Sequence, residues 1–286
     1  MHNNLKRKQF VLIGHQGRKL AVDVTYPSDV DQLELIIYAH GINGFKDWGG
    51  MNLIAKAFAE QGFAFLKFNF SHNGTTPENP EDFVDFEAYQ NDNYSIRQND
   101  LNLLFSQILQ PDIFEFRVQS TNLIGHSRGG VDAILFTAND ERVDKLITWA
   151  SPSNAQTPWS KWDDKKLKQW EKEGVVKILN GRSKQEMPIG FQLKEEFLKA
   201  DRRLNVKIAA EQIEKPWLIV HGTKDEAVLF EQAKQLSVWQ PAAELFSIEG
   251  IGHTFDRTHP WKSEVLPNAS KSLVNSTIRF LLGSNP

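Results

Sequence analysis

The sequence predicts an α/β fold with a doubly wound, mostly parallel sheet, and three patterns support this prediction. Short apolar runs alternate along the chain with segments whose apolar residues recur at helical spacing. The first long run, residues 33–39, is almost continuously apolar, as expected for a central strand that is covered on both faces. Near the N-terminus, polar and apolar residues alternate over residues 19–26, which predicts a half-buried antiparallel hairpin with residues 9–13.

The remaining elements follow from the same periodicities, in chain order. Apolar runs that are bounded by turn residues predict strands at 33–39, 63–70, 120–125, 143–150, 216–221 and 244–248. Segments with apolar residues three and four positions apart predict helices at 51–61, 95–109, 129–138, 229–239 and 261–282. Strands that alternate with helices in this order predict parallel pairing in a doubly wound sheet.

Residues 152–213 interrupt the alternation between two predicted core strands. The segment is rich in Lys, Asp and Glu, carries several tryptophans, and includes a helical pattern at 191–200. We therefore expect a helical cap, or lid, inserted into a core that is formed by residues 1–151 and 214–286. Its tryptophans either pack a small core of the insertion or contact a ligand. Trp159 and Trp162 are the candidate substrate-binding residues.

A second irregular segment, residues 71–95, is rich in Asp and Glu and contains neither Lys nor Arg. Long loops in compact domains are often functional, whereas runs of like charge usually form solvated surface. The spacing of the acids does not match a calcium-binding loop. We therefore expect a solvated acidic loop, and we predict no metal site.

Composition excludes several classes of function. The chain of 286 residues has a formal net charge of −3, which gives no support for nucleic acid as a partner. It contains no cysteine, so disulfides, thiolate metal sites and a cysteine nucleophile are excluded. No stretch approaches the ~18 apolar residues of a membrane span. These features predict a cytoplasmic protein that does not insert into membranes, and they leave its oligomeric state open.

Residues 125–129, Gly-His-Ser-Arg-Gly, lie between a predicted strand and a predicted helix. The pattern Gly-x-Ser-x-Gly is typical of a nucleophile elbow, a sharp turn that presents a serine hydroxyl at the end of a sheet. An ordinary turn with a helix-capping serine would give the same five residues. The strand, the turn and the helix occur in the order that an elbow requires, so Ser127 is the candidate nucleophile.

A serine nucleophile needs a base, and the base needs an acid that fixes its orientation. Asp225 follows the predicted strand 216–221 after a short turn, and His253 follows the next strand on a loop that contains glycines. Both positions lie beyond the C-terminal ends of strands, where ligands bind in open α/β sheets. Asp225 and His253 are therefore the candidate acid and base, with Glu226 and Asp256 as alternative acids and His72 and His259 as alternative bases.

A tetrahedral acyl intermediate also needs two backbone donors, which form an oxyanion hole. One donor follows the nucleophile and would be the N–H of Arg128. The other comes from the loop after an early strand, and residues 40–44, His-Gly-Ile-Asn-Gly, follow strand 33–39 in this way. We expect the N–H of Ile42 to be this second donor. The alternative is that the loop only ends the strand.

Four motifs resemble the α/β-hydrolase fold superfamily across nearly the whole chain: His40-Gly41, the elbow pentapeptide, His221-Gly222-x-x-Asp225 and Gly252-His253. Residues 40–48 and 68–74 are similar to bacterial dienelactone-hydrolase-like and serine-aminopeptidase-like esterases. The resemblance implies the α/β-hydrolase fold and a serine ester hydrolase. Dienelactone hydrolases proper use a cysteine nucleophile and haloalkane dehalogenases use an aspartate, so neither activity is expected here.

We therefore expect hydrolysis of a small or medium-sized carboxylic ester through Ser127, His253 and Asp225, with no metal or organic cofactor. The same triad could serve a serine aminopeptidase, a thioesterase or an acyltransferase. A non-catalytic binding protein on the same scaffold is an alternative from a different class. The fold does not decide among substrates.

Overall fold

The computed structural model describes residues 2, 4–181 and 183–283. In these residues the strands are β1 (Leu5–Ile13), β2 (Lys19–Pro27), β3 (Gln32–Ala39), β4 (Phe63–Phe68), β5 (Arg117–His126), β6 (Lys145–Trp149), β7 (Val175–Leu179), β8 (Glu186–Gly190), β9 (Trp217–Gly222) and β10 (Glu244–Ile248). The α-helices are α1 (Met51–Glu60), α2 (Phe86–Asn91), α3 (Tyr94–Ile108), α4 (Arg128–Thr137), α5 (Asp164–Glu173), α6 (Gln192–Ala200), α7 (Val206–Gln212), α8 (Phe230–Trp239) and α9 (Asn268–Leu281).

Most of these strands form one eight-stranded sheet in the order β1-β2-β4-β3-β5-β6-β9-β10. β1 pairs antiparallel with β2, and β2 pairs antiparallel with β4. From β4 to β10 every neighbouring pair is parallel. The predicted α/β class, the mostly parallel sheet and the antiparallel N-terminal hairpin are therefore confirmed.

Successive side chains of β3 enter two separate apolar cores. Leu35 and Ile37 belong to one core together with side chains of α3, α4 and α8. Ile36 and Tyr38 belong to the other core, to which α1 and α9 contribute. All four side chains are buried. Helices thus cover both faces of the sheet, which explains why this strand is almost continuously apolar in sequence.

Some elements differ from the sequence prediction. The last helix begins at Asn268 and not at residue 261, because Pro267 has no N–H donor and disfavours helical backbone in the residue before it. Strand β2 is buried along nearly its whole length, where a half-buried strand was expected, since α1 packs against it. No helix within the described ranges has the length and apolarity needed to cross a membrane.

The insertion between β6 and β9 contains an antiparallel hairpin, β7 and β8, that the sequence did not predict. Several apolar residues of β7 are only half-buried, so the sequence of this strand shows no clear alternation of apolar and polar residues. Trp170 is fully buried, and its indole N–H donates to Ile189 O at 2.8 Å. The rings of Trp159 and Trp162 lie 5.8 Å and 5.1 Å from the Trp170 ring, centre to centre. Helix α7 packs instead on α4 and α8. The division of the chain at residues 151 and 214 stays a prediction.

A buried charge cluster ties β2 and β4 to the loop that follows β3. Asp23 and Lys67 lie opposite each other on β2 and β4, and Lys67 Nζ donates to Asp23 Oδ2 at 2.8 Å. Lys46 Nζ donates to the same oxygen at 2.7 Å, as does Arg7 Nη2. Asp47 contacts both lysines. Burial raises the pKa of Asp23, but the lysine ammonium groups outweigh burial and hold the pKa below its ordinary value.

The substitution Asp23→Asn would remove one of the anions that face buried Lys46 and Lys67. We expect it to lower the free energy of unfolding by about 3–5 kcal/mol, because breaking a buried ion pair leaves a buried charge without compensation. Urea denaturation followed by circular dichroism measures this change. Glu115→Gln is the control. It removes the partner of Lys6 in an exposed ion pair and should leave the midpoint of urea denaturation unchanged. Equal midpoints for Asp23→Asn and the wild type would contradict this account.

Candidate active site

Ser127 lies at a sharp turn between the end of β5 and the start of α4. Its backbone has a φ of 55° and a ψ of −127°, a conformation that residues with a side chain rarely adopt. Ser127 N donates to Trp149 O at 2.9 Å, and Ser127 O accepts from Gly130 N at 2.8 Å. These two hydrogen bonds hold the strained turn between β6 and α4.

Glycines allow the backbone to approach closely around this turn. A Cβ atom on Gly125 would lie 2.2 Å from Gly129 O, and one on Gly129 would lie 2.3 Å from Ala39 O. A Cβ atom on Gly41 would lie 2.9 Å from Ser127 Cβ. The elbow, the start of α4 and the loop after β3 are therefore in backbone contact, which explains the glycine at each end of the pentapeptide.

The structure brings Asp225 and His253 together from the loops after β9 and β10. His253 Nδ1 lies 2.7 Å from Asp225 Oδ2. The other carboxylate oxygen accepts from Ala227 N at 2.9 Å and from Val228 N at 2.8 Å. Burial raises the pKa of Asp225, but hydrogen bonds from His221 and His253 outweigh burial and hold the pKa well below its ordinary value. The carboxylate is thus ionised, and it orients one nitrogen of the His253 ring.

Ser127 and His253 line the same cavity. Within the described residues, no hydrogen bond joins Ser127 Oγ to the imidazole, and such bonds are often long before a substrate binds. His126 supports the His253 loop, because its Nε2 lies 3.1 Å from His253 O. Burial lowers the pKa of His126 well below its ordinary value, so the ring is neutral at pH 7.

The two predicted oxyanion donors both have free N–H groups. Neither Ile42 N nor Arg128 N donates to another group in the part of the chain that the structure describes. Arg128 is the first residue of α4, where helical N–H groups have no partner within the helix. His40 supports the Ile42 loop, since its Nδ1 lies 2.9 Å from Gly41 O. Burial lowers the pKa of His40 to about 3, so this ring is also neutral.

A buried arginine connects the two segments that carry these donors. Arg97 Nη2 donates to His40 O at 2.6 Å, and Arg97 Nε donates to Asp132 Oδ2 at 2.6 Å. His40 begins the loop that contains Ile42, and Asp132 lies on α4 just after Arg128. Sequence reasoning missed Arg97, because a single arginine on a helix matches no motif and its partners are distant in the chain.

The acidic segment 71–95 is only partly the solvated loop that the sequence predicted. Asp85 caps helix α2, where its side chain accepts from Ala88 N at 2.9 Å. Asp92 is buried and accepts a 2.7 Å hydrogen bond from the guanidinium of Arg128. The segment therefore supports the elbow. Among the described residues, no group of three or more His, Cys, Asp or Glu side chains could hold a metal ion.

A cavity of about 350 Å³ is lined by Ser127, His253 and Ile42. Tyr38, Phe45 and Trp48 contribute aromatic surface to its wall. Residues from the first part of the insertion also line the cavity, and they include Pro152, Asn154 and Thr157. The cavity therefore combines the predicted reactive groups with a mainly apolar lining, as is typical of small-molecule sites.

Trp159 and Trp162 do not lie on the wall of this cavity. They pack in the aromatic cluster of the insertion, and Trp159 is buried. Their placement therefore does not support the expectation that they contact substrate. Trp48 lies on the wall instead. Its position close after the predicted oxyanion loop was the one sequence signal that could have identified it.

Solved structures with the same architecture match nearly the whole chain. Est1E from Butyrivibrio proteoclasticus, solved with ferulic acid bound, is 19% identical with a TM-score of 0.72, over 96% of this chain and 98% of that chain. The esterase domain of a Rhodothermus marinus protein is 19% identical with a TM-score of 0.61, over 98% and 97% of the two chains. Pyrococcus horikoshii acylaminoacyl peptidase is 12% identical with a TM-score of 0.67, over 98% of this chain and 42% of that chain.

No protein-family model and no curated protein matches the sequence. The strand order, the elbow between β5 and α4 and the structural matches together define the α/β-hydrolase fold, as the sequence motifs implied.

The substitution Gly125→Ala would place a methyl group 2.2 Å from the carbonyl oxygen of Gly129, so the backbone must move. We expect it to destabilise the protein by about 3 kcal/mol, at the upper end of the cost of overpacking, and calorimetric melting measures this. A Cβ atom on Gly181 would meet no atom within 4 Å, so Gly181→Ala is the matched control and should melt with the wild type. If both variants melt at the wild-type temperature, the elbow is not held by this contact.

Proposed function

We propose that the protein is a serine hydrolase that cleaves carboxylic esters of small or medium-sized molecules. The observation that carries the proposal is the 2.7 Å contact between His253 and Asp225, with His253 in the same cavity as the strained Ser127. A nucleophile, a base and an acid that orients the base are the groups that acyl transfer requires. The likeness to esterases of known structure supports the same chemistry.

In the proposed reaction, His253 Nε2 takes the proton of Ser127 Oγ as this oxygen attacks the carbonyl carbon of the ester. Asp225 stabilises the imidazolium that forms. The N–H groups of Ile42 and Arg128 donate to the carbonyl oxygen as it becomes an oxyanion. His253 then protonates the leaving alcohol, and the acyl group stays on Ser127 Oγ. Water, deprotonated by His253, attacks this acyl-enzyme and releases the acid.

The charge of the cavity favours an ester over the substrate of an aminopeptidase. An aminopeptidase needs carboxylates that bind the ammonium group of its substrate. No Asp or Glu side chain from the described ranges lines the cavity, and Lys161 adds a positive charge to its wall. The thioesterase and acyltransferase alternatives share the acyl-enzyme and differ only in the leaving group or the acceptor.

We assign residues 152–213 as a cap on a core of residues 1–151 and 214–286. Asn154, Thr157 and Pro158 lie on the cavity wall, so the insertion contributes directly to the space that a substrate would occupy. Within the insertion, Trp159, Trp162 and Phe191 pack around buried Trp170.

A fluorophosphonate probe should label the wild-type protein, because a serine that is activated by histidine attacks phosphorus as it attacks an ester. Ser127→Ala should abolish labelling and lower kcat for p-nitrophenyl butyrate by about 10⁴-fold or more. Ser237→Ala on α8 is the control and should behave like the wild type. A wild-type protein that does not label would refute the enzyme proposal, and labelling that persists in Ser127→Ala would refute the nucleophile.

A panel of substrates distinguishes an esterase from an aminopeptidase. We expect hydrolysis of p-nitrophenyl acetate and butyrate and no measurable hydrolysis of aminoacyl p-nitroanilides, since the cavity offers no carboxylate to an ammonium group. Initial rates measured by nitrophenolate or nitroaniline release decide this. Cleavage of the anilides with inert esters would identify a peptidase.

A further inference from the structure

Among the described residues that line the cavity, Lys161 carries a positive charge and no side chain is a carboxylate. Besides Ile42, whose N–H is a predicted oxyanion donor, the wall carries the side chains of Lys161, Gln232 and Asn43. A ligand that fills this cavity therefore meets a cation and no anion, which favours a ligand that carries a negatively charged acceptor.

The amide of Gln232 has its oxygen engaged by protein. Gln232 Oε1 accepts from Ser153 N at 2.9 Å and from Asn154 Nδ2 at 3.3 Å. A backbone N–H can only donate, so this contact determines which end of the amide faces Ser153. Gln232 Nε2 has no partner in the described portion of the chain. The amide thus holds two N–H donors for a ligand.

The amide of Asn43 is oriented in a similar way. Its Oδ1 accepts a 2.6 Å hydrogen bond from the hydroxyl of Tyr89, which is buried. Within the described residues, Asn43 Nδ2 has no partner. Asn43 also follows Ile42 in the predicted oxyanion loop and lies on the cavity wall.

Lys161 is the cation of this wall, and two backbone carbonyls hold it in place. Its Nζ donates to Glu226 O at 2.9 Å and to Ala227 O at 3.0 Å. An ammonium group has three donors, so one N–H is left for a further acceptor. Lys161 follows buried Trp159 in a short 3₁₀ helix, which anchors the base of the side chain. The two carbonyls are dipoles and not charges, and Lys161 forms no ion pair with any residue that the structure describes.

We propose that the ester substrate carries a carboxylate, which binds Lys161 and Gln232 on the cavity wall. This inference rests on the proposed ester hydrolysis and specifies its substrate class, a half-ester of a dicarboxylic acid or an ester of a carboxylated alcohol. The apolar remainder of the substrate would contact Trp48, Phe45 and Val228. Lys161 and Gln232 are then specificity residues that bind substrate away from the reacting carbonyl.

Two pairs of esters of similar shape test the proposal. The first pair, p-nitrophenyl hydrogen glutarate and p-nitrophenyl valerate, places the charge in the acyl part. The second pair, 4-acetoxybenzoate and 4-methylphenyl acetate, places it in the alcohol part. We expect kcat/KM to be about tenfold or more higher for the anionic member of one pair, as one charge-assisted hydrogen bond allows. Added salt should reduce this preference, because Lys161 is exposed.

The variant Lys161→Met should abolish the preference, because kcat/KM for the anionic ester should fall to that for the neutral ester. Lys166→Met is the matched control, because Lys166 belongs to the same insertion, lies 4.2 Å from the centre of the Trp162 ring and is not on the cavity wall. This control should keep the wild-type preference.

Three results would overturn the inference. They are equal rates within both pairs, a preference that survives in Lys161→Met, and a loss of activity on both members of a pair in that variant. If neutral esters are hydrolysed, any of these results leaves the proposed function intact. If no ester is hydrolysed, binding of 4-acetoxybenzoate and 4-methylphenyl acetate, measured by calorimetry, still tests the role of Lys161. Equal affinities would then refute the inference.

Discussion

The contact on which the site depends is the close approach of three backbone segments at the end of the sheet. Gly125, Gly129 and Gly41 let the elbow, the first turn of α4 and the loop after β3 meet with no side chain between them. This contact holds Ser127 at a positive φ and places its side chain at the cavity. A larger residue at any of the three positions would separate the predicted nucleophile from the predicted oxyanion donors.

Buried charges connect these segments to the rest of the fold. Arg97 joins the loop of His40 to α4 through Asp132, and the cluster around Asp23 joins the next part of that loop to β2 and β4. Such pairs add little net stability over apolar residues of the same size, but breaking one is costly. They therefore favour one arrangement of the loop over others, which suits the proposed oxyanion hole, because its two backbone donors must converge on one atom.

Much of the fold could be predicted from sequence, because strands that are covered on both faces are continuously apolar and amphipathic helices repeat every three to four residues. Prediction was weaker where burial is partial. The half-buried hairpin β7–β8 has no clear apolar periodicity in sequence, and Pro267 shortens a helix whose pattern extended to residue 261. For the site, the order of residues along the chain predicted Asp225 as the acid and His253 as the base. The structure places His253 Nδ1 2.7 Å from Asp225 Oδ2.

By itself, the sequence determined the fold class, the order of the predicted reactive residues along the chain and the position of the elbow. Periodicity and glycine requirements are local properties of the chain, so they can be read without the tertiary structure. Only the tertiary structure decided that Asp225, and not Glu226 or Asp256, contacts His253 Nδ1, and that Trp48 faces the cavity while Trp159 packs inside the insertion. These outcomes depend on contacts between segments that are far apart in sequence, which no local pattern records.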